Sequence, residues 1–284
     1  MSAIETHAEL IAAMESAVRS DTFTYFSGNL GLAHAGWIST YTQFAQSAVP
    51  APAVPSSAVA LNSTSTGGSP IYIPASSTKQ LWLTEMEIAG AGGGSGTRFS
   101  FVLYDRLSHT GGLVGNVTTE QTTNLPTAAL PRYTDGKDVL AFLEVYTAIS
   151  TVNTTATIKY TNQDGVANRV SKPIVVATNN NSNAGSFTAF PLQNGDTGVR
   201  SVESFTMAGV SVAAGNMGIT LCKKVAHLPV DTGSYVERQA YRQTWSYGGI
   251  VEILPGACLF LSFMASAIAT TAWNIQGRLG ISPK

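Results

Sequence analysis

From Ile71 onward, apolar and polar residues alternate with a period of two, and turn residues interrupt the alternation repeatedly. Successive side chains of a β-strand point to opposite faces of the sheet, so this period predicts strands with one buried face. The pattern predicts about ten strands, at residues 81–88, 98–104, 139–146, 155–160, 166–176, 199–207, 218–224, 249–254, 258–264 and 271–281. Short strands with irregular connections predict an all-β fold, a jelly-roll-like β-sandwich.

Two glycine-containing segments are interpreted as turns of this sandwich. Asp164-Gly165 predicts a two-residue type I′ hairpin turn, because such a turn needs a positive φ at both central residues. The glycine-rich run at residues 90–96 differs from a dinucleotide-binding fingerprint, since it joins two predicted strands and does not open a helix. We therefore expect no cofactor.

The N-terminal part of the chain has a different pattern. Ser2 and Glu5 form a capping box, and apolar residues up to Val18 recur at helical spacing, which predicts a helix. An arm without a clear period follows, and then a Pro/Ala stretch and a Ser/Thr/Gly-rich stretch predict a linker. The predicted organisation is an N-terminal helix and docking arm over 1–46, a linker over 47–70 and the β-sandwich (jelly-roll) domain over 71–284.

The arm is rich in aromatic residues and almost free of charge. Ordering it costs about 1–2 kcal/mol per residue, which is comparable to what burial of its aromatic side chains returns at roughly 25 cal/mol/Å². The arm is therefore expected to become ordered only where another surface helps to bury it, either its own domain or a neighbouring subunit. The candidate shell or subunit contacts are Phe23, Tyr25, Phe26, Trp37, Tyr41 and Phe44.

The chain carries little charge. Only 12% of its 284 residues are charged, against about 25% in an ordinary globular domain, and 16 Lys and Arg nearly balance 17 Asp and Glu. A non-specific nucleic-acid binder needs a surplus of Lys and Arg for phosphate contacts, so this class is excluded. Two interpretations of the bland surface stay open: other subunits cover much of it, or Ser and Thr hydroxyl groups solvate it.

The sequence predicts neither export nor membrane insertion. Residues 2–20 carry three Glu where a signal peptide needs an apolar segment. The longest apolar stretch, 257–269, is shorter than the roughly 20 residues of a membrane helix. We expect a protein made in a cytoplasm, with no membrane partner. Cys222 and Cys258 are too few for a disulfide framework and are predicted to be buried free thiols.

The chemistry-bearing residues form no recognisable catalytic pattern. The four histidines lack metal-ligand spacing, so no metal site is predicted. Glu85 and Glu87 share one strand face, but nothing singles out a carboxylate pair for acid–base chemistry. The loop at residues 135–138 lacks the spacing of a helix-loop-helix calcium site. We predict no catalytic residues, and a protein that is not an enzyme.

A second group of aromatic and basic residues lies near the C-terminus. Tyr, Trp and Arg together are typical of protein-interface hot spots, and the sequence leaves open whether this group packs into the core or contacts another subunit. The candidate oligomer contacts are Tyr235, Arg238, Tyr241, Arg242 and Trp245.

Four motifs in order resemble a group of virion proteins of tailed bacteriophages. They are Tyr104-Asp-Arg-Leu-Ser-His-Thr-Gly-Gly112, Asn124-Leu-Pro126 with Ala129-Leu-Pro-Arg-Tyr133, Tyr160-Thr-Asn-Gln-Asp-Gly165 and Gly195-Asp-Thr-Gly-Val-Arg-Ser-Val-Glu203. The resemblance covers roughly residues 80–225. With the size, the sandwich and the arm, it is similar to capsid cement (decoration) proteins, which bind the outer shell as jelly-roll oligomers.

This resemblance implies a structural protein on the capsid surface of a virion, assembled in the host cytoplasm. Its expected partners are the major capsid protein and further copies of itself, in a dimer or trimer. Two other classes stay open: a tail, baseplate or host-glycan-binding component, and an enzyme such as a depolymerase or esterase, which would need two close carboxylates or a Ser–His pair in a pocket.

Overall fold

The computed structural model describes only part of the chain. The described residues are 6, 8, 26–28, 36–39, 59–60, 80–91, 98–123, 130–150, 152–177, 182–231, 239–244, 251–265 and 273–283. Apart from Thr6 and Ala8, the predicted N-terminal helix lies outside them, as does most of the predicted linker. From residue 80 onward no described residue lies in a helix. No helix in the described part of the chain has the length and apolar character needed to span a membrane.

Seventeen strands are defined within the described residues. They are β1 (Phe26–Gly28), β2 (Gly36–Ser39), β3 (Val59–Ala60), β4 (Leu81–Ala91), β5 (Arg98–His109), β6 (Gln121–Thr122), β7 (Val139–Thr147), β8 (Thr154–Asn162), β9 (Arg169–Val170), β10 (Ile174–Val176), β11 (Phe187–Ala189), β12 (Val199–Met207), β13 (Asn216–Asp231), β14 (Gln239–Thr244), β15 (Val251–Ile253), β16 (Leu259–Ala265) and β17 (Trp273–Pro283). The all-β prediction is thereby confirmed.

These strands form three antiparallel sheets. The central sheet has the order β11-β7-β13-β5-β16-β2, with β3 paired to β5. The first flanking sheet has the order β1-β17-β4-β14, with β15 also paired to β4. The second flanking sheet has the order β10-β8-β12-β6, with β9 also paired to β8.

The central sheet curls until its two edges meet. The N–H of Ser39 in β2 donates at 2.8 Å to the carbonyl of Gly185, which lies two residues before the start of β11. The face that this curl encloses is lined by aromatic rings. Phe142 and Phe187 stack with their centroids 4.1 Å apart, and Tyr104 and Phe260 stack at 5.8 Å. Strands from four places in the chain therefore close around one aromatic interior.

The outer face of the central sheet is covered by the two flanking sheets. One core joins β4, β15 and β17 to β5, β13 and β16, through buried residues such as Met86, Leu103 and Phe263. The other core joins β8, β10 and β12 to β7 and the first half of β13, through residues such as Phe205 and Ile219. β5 and β13 contribute residues to both cores, so each flanking sheet packs face to face on a different half of the same outer face, as in a β-sandwich.

A buried ion pair lies between the two outer cores. Asp105 follows Leu103 of the first core and precedes Leu107 of the second on β5. Arg132 donates to both carboxylate oxygens of Asp105 at 2.7 Å, and the Cys258 N–H donates to the same carboxylate at 2.9 Å. Burial raises the pKa of Asp105, and Arg132 opposes this rise. Arg132 therefore stabilises the ionised form of Asp105 in an interior that disfavours a charge.

The predicted strand over 166–176 is divided in the structure. β9 and β10 lie along the same edge of β8, and Lys172 and Pro173 stand between them. Proline has no N–H for a sheet ladder, so it interrupts an edge strand. Most of the strands that the sequence did not predict are two to four residues long, which is too short for a period of two to be recognised.

The hairpin at Asp164-Gly165 is confirmed, but the predicted turn type is wrong. Only Gly165 has a positive φ, of 80°, whereas a type I′ turn needs two such residues. The Gly165 N–H donates to the carbonyl of Asn162 at 3.0 Å, and the Asn162 N–H donates to the carbonyl of Val166 at 3.1 Å. These bonds define a three-residue loop in which glycine takes the left-handed position.

The Asp105–Arg132 pair predicts a large loss of stability when one partner is removed. Arg132→Met leaves the Asp105 carboxylate buried without its counter-ion, so the free energy of unfolding should fall by about 3–5 kcal/mol. Urea denaturation measures this fall. Lys159→Met is the control, because the Lys159–Glu120 pair is 40% and 48% exposed and should contribute less than about 1 kcal/mol. Equal losses in the two variants would contradict the assignment.

Candidate functional site

The predicted arm contacts are described at two places. Phe26 lies in β1, which pairs with β17 at an edge of the first flanking sheet. Trp37 lies in β2, which pairs with β16 at an edge of the central sheet, and its half-buried side chain packs against the aromatic interior. These two stretches of the arm therefore add strands to two different sheets of the same chain. Phe23, Tyr25, Tyr41 and Phe44 lie outside the described residues.

The predicted oligomer contacts lie in and around β14. Tyr241 and Arg242 are opposite Ile88 and Glu87 of β4 in the first flanking sheet. The backbone of β14 thus forms an edge of that sheet. Tyr235, Arg238 and Trp245 lie outside the described residues. Their role in a subunit contact stays a prediction.

The structure reveals a buried polar cluster that the sequence reasoning missed. Inside the curled central sheet, Arg106 of β5 forms an ion pair with Glu144 of β7 at 2.5 Å, and both side chains are completely buried. Thr220 of β13 donates to the same Glu144 oxygen at 2.7 Å, and the Tyr146 hydroxyl donates to it at 3.1 Å. The Arg106 guanidinium also lies 3.0 Å from Nδ1 of His109. We call these five residues the interior polar cluster.

Local strand geometry explains how Arg106 and His109 come to share a face. They are three apart, which would place them on opposite faces of a regular strand. The register of β5 against β13 shifts at this point, with Cys222 opposite Arg106 and Leu221 opposite Ser108. Such a bulge inserts one residue and restores both side chains to the interior. The signal in the sequence was Glu144, a charge within the mostly apolar predicted strand over 139–146, whereas Arg106 and His109 lie beyond the predicted end of their strand at residue 104.

The electrostatics of the cluster follow from burial and the Arg106 charge. Burial, with Arg106 as a second cause, lowers the pKa of His109 to about 3. Burial by itself would raise the pKa of Glu144, but Arg106 and the hydroxyl donors outweigh it and lower that pKa. The cluster therefore holds a neutral imidazole beside a guanidinium–carboxylate pair. Both charged side chains are completely buried, so neither is accessible from solvent in this structure.

An exposed Ser–His pair lies on the face of β5 and β13 that carries the interior polar cluster, toward the other end of the strands. The Ser100 hydroxyl of β5 and Nε2 of His227 in β13 are 2.5 Å apart. Partial burial, with the Lys224 charge as a second cause, lowers the pKa of His227. Nucleophilic catalysis by such a pair needs a third group that orients the imidazole. Among the described residues no carboxylate hydrogen-bonds to His227. Within that part of the chain the pair therefore has no third group to orient its imidazole.

Two further predictions concern metals and thiols. No group of three His, Cys, Asp or Glu side chains within the described ranges is placed to hold a metal ion. Cys222 and Cys258 are both free and buried, as predicted. Burial raises the pKa of the Cys258 thiol to about 12 and that of Cys222 well above its usual value. Both thiols are therefore poor nucleophiles.

The four motifs that resemble phage virion proteins contact one another two by two: the first contacts the second, and the third contacts the fourth. Asp105 in the first motif binds Arg132 in the second. In the third and fourth motifs, the Tyr160 hydroxyl donates to Asp196 at 2.5 Å, and the Asn162 amide donates to it at 2.8 Å. Arg169 completes this second group with two bonds to Asp196. The motif residues thus serve contacts between strands and loops.

Comparisons with known proteins give no family. No protein-family model matches this chain, and no curated protein matches it. A solved structure titled "Structure of infectious bursal disease virus Gt strain" aligns over 92% of this chain and 80% of its own, with 12% identity and a TM-score of 0.18. The corresponding Gx-strain structure aligns over 95% and 83%, with 13% identity and a TM-score of 0.19. TM-scores this low carry no argument about fold or function.

The interior polar cluster predicts a characteristic pattern in a double-mutant cycle. Arg106→Met and Glu144→Leu each leave one buried charge without its partner, and each should lower the free energy of unfolding by about 3–5 kcal/mol. The double variant removes both charges and should lose less than either single variant. Urea denaturation of the four proteins checks this. Additive losses would mean that the two residues do not act as a pair.

His109 predicts a dependence of stability on pH. In the unfolded chain it binds a proton below about 6.5, whereas in the folded protein it stays neutral to about 3. The free energy of unfolding should therefore fall as pH is lowered from 6.5 to 4.5, by at most about 1.4 kcal/mol per pH unit. His109→Gln should flatten this slope, and His227→Gln, at an exposed site, should change it less. Urea denaturation across this range measures both slopes, and an unchanged slope in His109→Gln would refute the prediction.

Proposed function

We propose that this chain is a cement (decoration) protein of a virus particle. It binds the capsid shell of a tailed bacteriophage and stabilises it by bridging major capsid subunits. In this proposal the jelly-roll-like body lies on the capsid surface, and the N-terminal arm makes the bridging contact. The four-motif resemblance supports the tailed-phage assignment.

The observation that carries the proposal is how the arm attaches. β1 and β2 each lie at a sheet edge and are held there by antiparallel backbone pairing. Strand addition uses main-chain hydrogen bonds, so it is an efficient way for an extended segment to become ordered on contact. An arm that attaches to its own body in this way has the means to attach to the exposed sheet edge of a neighbour.

The structure of the body fits a protein that must withstand mechanical stress. The closed curl of the central sheet, the Asp105–Arg132 pair on its outer face and the Arg106–Glu144 pair within tie distant strands together. Removing either partner of a buried pair is strongly destabilising, because the other charge is then left buried without a counter-ion. A protein that bridges the subunits of a shell under internal pressure must itself stay folded.

Co-sedimentation with empty shells of the major capsid protein tests the proposal. The full chain should sediment with the shells and raise the temperature at which they disassemble. If it stays in the supernatant, the cement function is wrong. Labelling of the tail, or binding to a glycan array, would then favour a tail or glycan-binding component.

The contribution of the arm needs a variant that keeps the body intact. Deleting residues 1–46 also removes β2, whose Ser39 closes the central sheet. Deleting residues 1–25 keeps β1 and β2 but removes Phe23 and Tyr25. We expect this shorter deletion to weaken shell binding about tenfold or more, with an unchanged melting temperature.

The matched control is Val166→Ser, an exposed change in the β8–β9 hairpin, which should bind shells like the natural chain. Equal binding by the 1–25 deletion and the full chain would show that these arm residues make no shell contact.

A further inference from the structure

A chain of hydrogen bonds connects His109 to the place where the central sheet closes. One nitrogen of Arg106 donates to Nδ1 of His109 at 3.0 Å and to Glu144 at 2.5 Å. Burial would raise the pKa of Glu144, but Arg106 and hydroxyl donors that include Ser39 of β2 lower it. The Ser39 N–H in turn donates to the Gly185 carbonyl at 2.8 Å. We call this junction of β2 with Gly185 the seam.

The contact with Arg106 fixes the protonation state of His109. A guanidinium group has only donors, so Nδ1 of His109 must accept and must keep its lone pair. A proton added at Nδ1 would place two donors against each other and a second positive charge beside Arg106, in a buried site. Burial and Arg106 therefore lower the pKa of His109 to about 3. In milder acid His109 takes up a proton only when this part of the interior opens.

The other groups around His109 do not compensate such a charge. The described ionisable side chains of this region are Arg106 on β5, Glu144 and Tyr146 on β7 and Cys222 on β13. Glu144 favours a charged His109, but Arg106 already binds it. The residues opposite His109 on its two neighbouring strands, Thr220 of β13 and Val59 of β3, have no ionisable group.

The seam is where the central sheet opens most easily. β2, β3 and β11 have four, two and three residues, whereas β5, β7, β13 and β16 have 12, 9, 16 and 7. β2 and β11 are the two end strands of this sheet, and β3 pairs with β5. Separation at the seam therefore breaks few backbone hydrogen bonds, which is typical of segments that open locally. It frees the backbone beside His109 and removes Ser39 from Glu144.

We propose that His109 makes the seam sensitive to acid. Mild acid favours an open form in which His109 is protonated and β2 and β3 have separated from the central sheet. The two outer cores stay folded, because neither contains a residue of β2 or β3. The part of the arm that completes the central sheet is thus held at neutral pH and released in mild acid. This device concerns the chain alone, so a failure to bind shells would leave it standing.

Proton linkage gives the direction and the size of the effect. In the open form His109 has the ordinary pKa of about 6.5, whereas in the closed form its pKa is about 3. The open form therefore binds more protons between these values, and its population rises as pH falls. From pH 7.5 to 5.0 the ratio of open to closed seam should rise about 30-fold. Glu144 contributes little in this range, because an exposed Glu titrates near 4.5.

Amide hydrogen exchange of the full chain, followed by mass spectrometry from pH 7.5 to 5.0, tests this proposal. After correction for the intrinsic exchange rate at each pH, the protection of the β2 amides should fall about 30-fold. The matched control is β10, a three-residue strand at an end of the second flanking sheet. It can open without exposing His109, so its protection should stay constant. β12 should remain better protected than β2 at every pH.

The natural chain decides the proposal even if a variant fails to fold. Protection of β2 that is independent of pH, or an equal fall in β10, would overturn it. Equal protection of β2 and β12 would also overturn it, because the whole molecule would then unfold at once. In His109→Gln the fall in β2 should disappear, and in His227→Gln, at an exposed site, it should remain. A fall that persists in His109→Gln would assign the effect to another group and refute the role of His109.

Discussion

The structure depends on two neighbouring charges of opposite sign that point to opposite faces of one strand. Asp105 projects from the outer face of the central sheet to Arg132, and Arg106 projects inward to Glu144. An isolated charge in either place would be strongly disfavoured, because burial removes its hydration. Each is therefore tied to its partner, and β5 cannot slide or twist without separating one pair. The same strand lies within the curled central sheet and contributes buried residues to both outer cores.

Local strand structure was predictable from the sequence. The predicted strand over 199–207 coincides with β12, and that over 139–146 differs from β7 by one residue. The β12 residues alternate between buried and more exposed positions over part of the strand, whereas β7 is buried on both faces and has a nearly continuous apolar sequence. The predicted strand over 155–160 also lies within β8, whose side chains alternate between buried and half-buried along most of its length.

The curl and the interior polar cluster were not predictable in this way. Closure depends on Ser39 meeting Gly185, and the ion pair depends on Arg106 meeting Glu144, which are 38 positions apart. A single sequence carries no record of such pairings. Glu144 lay within a predicted strand, but Arg106 lay beyond the predicted end of its strand at residue 104, and nothing in the sequence identified the two as partners. The arm and β14 residues that were proposed as contacts lie largely outside the described residues, so those assignments stay predictions.

The pairing of β1 and β2 has a consequence for how the molecule is made. β1 and β2 are synthesised long before the strands they pair with, because β17 begins at Trp273 and β16 begins at Leu259. Contacts between such distant positions form late, because the whole intervening chain must first be available and its ends brought together. β1 and β2 must therefore wait, unpaired, until β17 and β16 have been synthesised. During that interval their backbone N–H and C=O groups are free to pair with any exposed sheet edge they encounter.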